Sequence, residues 1–155
     1  MVYLNIPSGK VVYHRQYDLL NKVLPELQKQ IDEWLQDGII KFAPLVTPFN
    51  TAILCVPKKD SDGNLTKLRF CMDMQPLNLL LPDITHDNHE LPLIWDIFHK
   101  MKNACIFTTL DLKSCFHKFH IFEDHQNHTA FTFINKQYCF ISSPFGIKFL
   151  SAHVQ

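Results

Sequence analysis

The stretch FTTLDLKSCFHKFHI, from Phe107 to Ile121, places one carboxylate, Asp111, between two apolar patterns. The run Cys105 to Leu110 before it predicts a buried β-strand. After it, apolar side chains return at helical spacing, at Leu112, Cys115, Phe116 and Phe119. A carboxylate at the end of a strand is accessible to a catalytic metal ion. Taken alone, the same residue also fits a helix N-cap, so the stretch leaves both interpretations open.

The region before this stretch predicts a lead-in, a helix and a β-hairpin. Residues Met1 to Tyr17 have no clear period and predict an extended segment. Pro25 is placed as a first helical residue, apolar side chains follow at helical spacing, and Gly38 is placed as the C-terminal cap. Two strands follow, Ala52 to Val56 and Leu68 to Met72, joined by a polar loop with an Asp-Gly turn.

The region around and after the Asp111 stretch continues the alternation of patterns. The acidic segment Leu79 to Leu91 has no period and predicts a loose connection. A second helical stripe consists of Ile94, Ile97, Phe98 and Met101. The strands Thr129 to Ile134 and Gln137 to Ile141 predict a last hairpin that turns at Asn135 and Lys136. Helices and strands mixed in this way predict an α+β fold.

Composition fits a folded protein but does not identify a partner. The 155 residues are 46% hydrophobic and 19% charged, which suffices to bury a core. The formal net charge is zero, so only local basic patches would hold phosphates. One patch flanks the first hairpin turn, with Lys58, Lys59, Lys67 and Arg69. Another lies around Asp111, with Lys100, Lys102, Lys113 and Lys118. Ordinary scatter of surface charge explains the same residues.

The cysteine and histidine patterns predict neither disulfides nor zinc. Five cysteines show no Cys-x-x-Cys pair and mostly lie in apolar runs, which is typical of small buried side chains in a reducing compartment. Nine histidines also lack the paired elements of known zinc sites. No apolar run approaches the roughly 20 residues that span a bilayer, so we expect a soluble intracellular protein without a membrane partner.

Five ordered blocks resemble the reverse transcriptase of gypsy-class LTR retrotransposons. They are VPKKD (Val56 to Asp60), LRFCMDMQPLN (Leu68 to Asn78), the Asp111 stretch, HTAF (His128 to Phe131) and SPFG (Ser143 to Gly146). The resemblance implies the fingers and the first part of the palm of a right-hand polymerase. About 1–80 and 120–150 would form the fingers with the palm edge, and about 80–120 would start the palm. The sequence ends before a Tyr-x-Asp-Asp hairpin, so we expect a fragment that lacks two metal-binding carboxylates.

The resemblance also implies roles for particular residues. Asp111 would bind magnesium in a site of two ions about 4 Å apart. Lys58 and Arg69 would close onto the triphosphate of the incoming nucleotide, and Lys59 is close enough in sequence to replace Lys58. Phe116 would lie beneath the incoming sugar and exclude a ribose 2′-hydroxyl. From the residues alone, a basic hairpin tip is more often just a soluble turn, and periodicity does not separate a sugar-contacting Phe116 from a core aromatic.

The SPFG block resembles the family's Pro-Phe-Gly loop near the nascent base pair. Phe145 and Gly146 would lie at that loop, where glycine permits close approach of the backbone. A routine Pro-Gly turn after a strand accounts for the same residues. The block therefore predicts a turn in either case, and a substrate-binding role only through the resemblance.

The resemblance implies a deoxynucleotide and an RNA or DNA template-primer as substrates. RNase H and integrase regions would share the polyprotein, which would reside in the cytoplasm, a virus-like particle or the nucleus. Several residues depart from the family pattern: Gln75 stands for Arg, Cys115 for Gly, Lys118 for Gln and His128 for Lys, and residues 147–155 diverge. We therefore expect part of an RNA-directed DNA polymerase. The alternative is a silent remnant that at most binds nucleic acid or a protein.

Overall fold

The computed structural model describes residues 1–44, 47–82 and 92–150, and these residues form an α+β fold. Within these described ranges there are three α-helices: α1 (Leu24–Gln36), α2 (Gln75–Leu80) and α3 (Ile94–Met101). The same ranges contain five strands: β1 (Ile40–Phe42), β2 (Ile53–Lys59), β3 (Leu65–Met72), β4 (Phe131–Phe133) and β5 (Lys136–Phe140). Short 3-10 helices cover Asn21–Val23, Cys115–Lys118 and Glu123–Thr129. Most of the predicted loose connection, and residues 151–155, lie outside the described residues.

The strands form two separate antiparallel sheets. In the first, β5 lies between β1 and β4, with Ile40 opposite Phe140. In the second, β2 and β3 form a two-stranded ribbon. Thr51, just before β2, joins the two sheets because its backbone N–H donates to the Ala130 carbonyl oxygen at 2.7 Å. The ribbon is thereby attached to the sheet at its base, while the residues of its turn are exposed.

Helix α1 covers the three-stranded sheet, as the apolar spacing predicts. Pro25 lies in its first turn, where a missing N–H costs nothing. Leu27 and Ile31 are fully buried, and the Trp34 ring lies 5.7 Å from the Phe140 ring. Gly38 follows the helix with φ +67°, the left-handed conformation that glycine adopts without strain.

The lead-in, predicted to be extended, has no helix or strand but turns at Ser8 and Gly9, and it belongs to the core. Val2 and Leu4 are fully buried. The Val2 N–H donates to the His120 carbonyl at 2.7 Å, and the Phe122 N–H donates to the Val2 carbonyl at 2.8 Å. These two bonds pair Val2 with Ile121, at the end of the Asp111 stretch. The lead-in therefore fixes the chain close to the candidate site.

The last hairpin forms, but its turn lies one residue earlier than the sequence predicts. Ile134 and Asn135 occupy the turn with φ of 42° and 58°, and Lys136 already pairs with Phe133. Two central residues with positive φ are typical of the two-residue turn whose twist matches an antiparallel hairpin. Isoleucine is branched at Cβ and therefore unfavourable at positive φ. The sequence for this reason did not indicate a turn at Ile134.

The predicted buried strand Cys105 to Leu110 is wrong. These residues belong to no strand, and Ile106 and Leu110 are 88% and 90% exposed. A strand needs a neighbour for its backbone hydrogen bonds, and no strand among the described residues pairs with this run. The helical pattern after Asp111 is likewise reduced to the single 3-10 turn Cys115–Lys118. Local composition indicates a strand here, but a strand forms only where another segment pairs with it.

Helix α3 forms at the predicted stripe, yet none of its residues is buried. Trp95 is 74% exposed and Phe98 56%, and their rings contact each other at 6.0 Å.

Among the helices of the described residues, none has both the length and the apolar character to cross a membrane. The cysteines are all free, but only Cys139 is buried and Cys105 is exposed, so the expectation of buried side chains holds only in part.

Candidate functional site

The β2–β3 ribbon aligns three basic side chains on one face. Val56 lies opposite Arg69 and Lys58 opposite Lys67. Because strand side chains alternate between faces, Lys58, Lys67 and Arg69 lie on the same side, and all three are exposed. We call these three residues the basic row. Lys59 pairs with Leu65 beyond a register shift and lies outside the row, so the geometry favours Lys58 over Lys59 as the partner of Arg69.

The basic row is electrostatically unfavourable without a ligand. Like charges directly opposite on neighbouring strands destabilise a sheet, and Lys58 and Lys67 are such a pair. Cys71, two residues after Arg69 on the same face, responds to this charge: burial raises the pKa of its thiol, and the Arg69 guanidinium opposes that rise. A polyanion bound along the row would neutralise the repulsion.

The tip of the ribbon is a well-formed turn. The Asp60 Oδ1 atom accepts hydrogen bonds from the backbone N–H groups of Asp62 at 3.0 Å and Asn64 at 2.8 Å. Gly63 has φ +84°, as the predicted Asp-Gly turn requires. The turn therefore holds the ends of β2 and β3 in register, and with them the basic row.

Two predicted site residues that are distant in sequence contact each other. Phe116, in the 3-10 helix Cys115–Lys118, meets Phe145 of the SPFG loop (Ser143 to Gly146) with ring centroids 5.1 Å apart and planes at 76°. His117 meets the same Phe145 ring at 5.2 Å and 78°. Edge-to-face pairs of this kind are favourable aromatic contacts. Phe116 also packs on the core, while Phe145 remains 49% exposed.

His117 joins the 3-10 helix to the SPFG loop, a role that sequence reasoning missed. Its Nδ1–H donates to the Ser143 carbonyl oxygen at 3.1 Å, and its ring lies 6.5 Å from Trp34. Burial lowers the pKa of His117, and the hydrogen bond to Ser143 partly opposes that change. The sequence offered no signal for this role, because the contact depends on a loop 26 residues away.

Gly146 is required by its backbone conformation. Its φ is +99°, which only glycine adopts readily. A Cβ atom there would meet Met74 Cβ and Cγ at 3.5 Å, an ordinary contact distance, so close packing of protein atoms is not the constraint. Asn78 of α2 holds the turn: its Nδ2 donates to the Gly146 carbonyl at 2.7 Å, and its Oδ1 accepts the Lys148 N–H at 3.0 Å. Asn78 ends one of the quoted blocks but received no role from the sequence.

Strand β3 connects the basic row to the SPFG loop. A small cleft is lined by Trp34, Phe70, Cys71, Met72, His117, Phe140, Pro144 and Phe145. Three of these residues follow Arg69 directly along β3. Cys71 lies on the face of the basic row, whereas Phe70 and Met72 lie on the opposite face of β3. Cys71 is therefore the cleft residue that the basic row shares a face with, and Phe145 on the other side of the cleft contacts Phe116.

Asp111 does not join this arrangement. It is exposed and follows the irregular run described above. Within residues 1–44, 47–82 and 92–150, no group of three or more His, Cys, Asp or Glu side chains could hold a metal ion. One carboxylate cannot by itself position two magnesium ions. The described residues therefore bring together Phe116, Phe145 and Gly146, and align Lys58 with Arg69, but they do not form a two-metal site around Asp111.

The chain is similar in sequence to segments of retrotransposon Pol polyproteins. The retrovirus-related Pol polyprotein from transposon opus of Drosophila melanogaster is 38% identical over 138 residues, 88% of this chain and 13% of the polyprotein. That from transposon gypsy of the same species is 34% identical over 96% of this chain and 14% of the polyprotein. The transposon Tf2-7 polyprotein of Schizosaccharomyces pombe is 30% identical over 91% of this chain and 10% of the polyprotein. No protein-family model matches the chain.

The fold matches part of solved reverse transcriptases. The native prototype foamy virus protease-reverse transcriptase superposes with a TM-score of 0.72 at 27% identity, over 97% of this chain and 19% of that chain. A foamy viral protease-reverse transcriptase in complex with dsDNA gives 0.71 at 24% identity, over 99% of this chain and 28% of that chain. The predicted fold, α+β with reverse transcriptase fingers and a partial palm, is therefore confirmed. The chain spans about an eighth of the polyproteins it matches.

Proposed function

We propose that these residues are the fingers and first part of the palm of an RNA-directed DNA polymerase from a gypsy-class LTR retrotransposon. About 1–80 and 120–150 form the fingers with the palm edge, and about 80–120 start the palm. Sequence similarity to Pol polyproteins over 88% to 96% of the chain supports this interpretation. In the longer polyprotein, RNase H and integrase regions would accompany it, in the cytoplasm, a virus-like particle or the nucleus.

The basic row carries the proposal. Its three cations share one face of the ribbon, and Cys71 on that face lines a small cleft with Phe145, whose ring contacts Phe116. A nucleoside triphosphate has matching chemistry, with a polyanionic end and a planar base and sugar at the other. Lys58 offers a point charge to the phosphates, and the Arg69 fork offers paired donors.

In this proposal each group has a separate task. Lys58 and Arg69 hold the triphosphate of the incoming deoxynucleotide, and Phe116 excludes a 2′-hydroxyl beneath the sugar. Phe145 and Gly146 lie beside the nascent base pair of an RNA or DNA template-primer. The double-stranded DNA in the foamy viral complex supports a nucleic-acid partner for this fold.

Asp111 contributes one magnesium ligand in the proposed enzyme. The two magnesium ions would activate the primer hydroxyl and stabilise the leaving pyrophosphate. Since Asp111 belongs to no cluster of three or more metal-binding side chains among the described residues, further ligands would come from elsewhere in a longer Pol protein. The chain's own contribution to the reaction is therefore to bind and orient the nucleotide.

The exposure of Asp111, and its absence from any cluster of three or more metal-binding side chains among the described residues, favour a second function. A catalytically silent remnant would keep the basic row and bind nucleic acid weakly, without sequence preference. A protein partner is the other possibility for such a remnant. A primer-extension assay distinguishes an active polymerase from a remnant of either kind.

The test is primer extension on a poly(rA) template with two proteins. The 155-residue chain alone is expected to be inactive, because one aspartate does not hold two ions. The same chain, grafted in place of the matching segment of foamy virus protease-reverse transcriptase, is expected to extend the primer. Asp111→Asn should abolish that extension, and the exposed control Asp124→Asn should not.

Two outcomes would change the assignment. A folded graft that extends no primer would favour the silent remnant. Activity of the isolated chain that disappears with Asp111→Asn would show that carboxylates beyond this chain are dispensable.

A further inference from the structure

The Asn78 side chain bonds to both sides of the turn that follows Phe145. Its Nδ2 donates to the Gly146 carbonyl oxygen at 2.7 Å, and its Oδ1 accepts the Lys148 N–H at 3.0 Å. These bonds join positions about 70 residues apart in sequence. One side chain therefore satisfies one acceptor and one donor of an irregular loop.

A carboxamide is the side chain suited to this task. It has a donor and an acceptor on adjacent atoms, whereas a carboxylate has only acceptors and an alkyl group has neither. The position of Asn78 is itself fixed, because its backbone N–H donates to the Met74 carbonyl at 2.8 Å. Its neighbour Leu77 is fully buried in the core. Asn78 thus transmits the position of α2 to the loop.

The residues held by Asn78 adjoin the proposed nucleotide site. Gly146 has φ +99°, and Phe145 directly precedes it. The Phe145 ring meets Phe116 at 5.1 Å and remains partly exposed, so the core alone does not fix it. A change in the turn at Gly146 would move the Phe145 ring relative to Phe116.

We propose that Asn78 is the positioning residue of the SPFG loop, and that it sets the binding of the incoming nucleotide through the placement of Phe145 against Phe116. This role rests on the proposed function, because it assumes that the nucleotide lies beside these rings. Asn78 acts through Gly146 and Lys148 and does not touch the substrate. Its removal should weaken nucleotide binding while leaving the chemical step intact.

The first measurement uses the 155-residue chain and reports the two hydrogen bonds directly. Asn78→Ala removes both bonds and should speed hydrogen exchange of the Lys148 amide. Asn78→Asp keeps the acceptor and should leave that amide slow to exchange, although the Gly146 carbonyl is deprived of its donor. The exposed control Asn21→Ala should leave the exchange rate of the Lys148 amide unchanged. Unchanged exchange of the Lys148 amide in Asn78→Ala would overturn the proposal.

The second measurement uses the grafted polymerase. Both Asn78→Ala and Asn78→Asp should raise the KM for deoxynucleotide by about fivefold or more, because each deprives the Gly146 carbonyl of its donor, with kcat within about twofold. Asn78→Gln retains both groups and should recover part of the wild-type KM. A structural role alone predicts instead that the melting temperature falls and that kcat and KM worsen together, which would overturn the proposal.

The two measurements separate this proposal from the function on which it rests. If the graft is inactive, or if Lys58→Ala and Arg69→Ala leave the KM unchanged, the nucleotide site fails and the role of Asn78 toward it fails as well. The exchange data would still report whether Asn78 holds the loop. If the graft is active and those variants raise the KM, an unchanged KM in both Asn78 variants overturns the positioning role alone.

Discussion

The Phe116 ring meets the Phe145 ring edge to face, with centroids 5.1 Å apart and planes at 76°. The two residues come from different segments of the chain, and the family resemblance predicts a nucleotide-binding role for each of them separately. Because the two rings are in contact, these two separately predicted residues form one continuous surface. A substitution at Phe116 should therefore affect the sugar and the SPFG loop together.

Phe116→Val in the grafted polymerase should open space for a 2′-hydroxyl. We expect the ribonucleotide to deoxynucleotide efficiency ratio to rise by about tenfold or more, the scale of a removed steric block. The matched control is Phe119→Val, since Phe119 also packs partly buried against the core. The control should lower the melting temperature without changing the ratio. If Phe116→Val behaves like the control, Phe116 is an ordinary core residue.

Nucleic-acid binding by the 155-residue chain should depend on salt through the basic row. Removing one cation that binds a phosphate should lower the slope of log affinity against log salt by about one. Lys58→Ala, Lys67→Ala and Arg69→Ala are each expected to produce this change, measured by fluorescence anisotropy on a short duplex. The exposed helix residue Lys29 provides the control, as Lys29→Ala. Equal slopes in all four variants would remove the ribbon from the binding surface.

The stability of the chain should fall as the pH drops below about 6.5, the ordinary pKa of histidine. Burial lowers the pKa of His117 and of His128, and His125, stacked on His128 at 5.3 Å, lowers the latter further. The unfolded chain therefore binds protons at a higher pH than the folded chain, and acid favours unfolding. The stabilisation is complete above the unfolded pKa and decreases as the pH falls toward the folded values.

Melting curves between pH 5 and pH 8 measure this dependence. His128→Gln and His117→Gln should each flatten it. The exposed His99→Gln should not. A melting temperature that is constant or rises on acidification would contradict the burial of these rings.

Ile134→Asn should stabilise the protein. Ile134 is exposed and has φ 42°, a conformation that β-branched residues resist and asparagine tolerates. Relief of this strain is expected to contribute about 1 kcal/mol and raise the melting temperature by about 2 to 4 °C. Ile134→Val retains the branch and should bring no gain. A lower melting temperature for Ile134→Asn would indicate that the Ile134 side chain packs in a way that outweighs the strain.

Local patterns predicted the elements whose residues are close in sequence. Helix α1 followed from Pro25, the apolar spacing and Gly38, and the ribbon followed from two apolar runs around Gly63. Each of these signals lies within one turn or one strand pair. Such elements are specified by neighbouring residues, so the sequence alone located them, although β2 and β3 each extend three residues further toward the turn than predicted.

Long-range contacts account for what the sequence did not predict. Cys105 to Leu110 has the composition of a strand, but a strand forms only against a partner, and the described residues contain none for it. The roles of Asn78 and His117 depend on carbonyl groups 68 and 26 residues away. No spacing rule connects such positions, since hydrogen bonds to loop carbonyls depend on the folded path of the backbone.

Nucleotide binding by the ribbon is tested most sharply by the KM for deoxynucleotide of the grafted polymerase with Lys58→Ala or Arg69→Ala. Removing a residue that holds the triphosphate should raise the KM by about tenfold or more, because a charge-assisted hydrogen bond disappears. Lys29→Ala and Arg15→Ala, at exposed positions outside the ribbon, are the matched controls. We expect a large rise for the first pair and none for the controls. Equal KM values in all four variants would contradict the assignment of the basic row to the triphosphate.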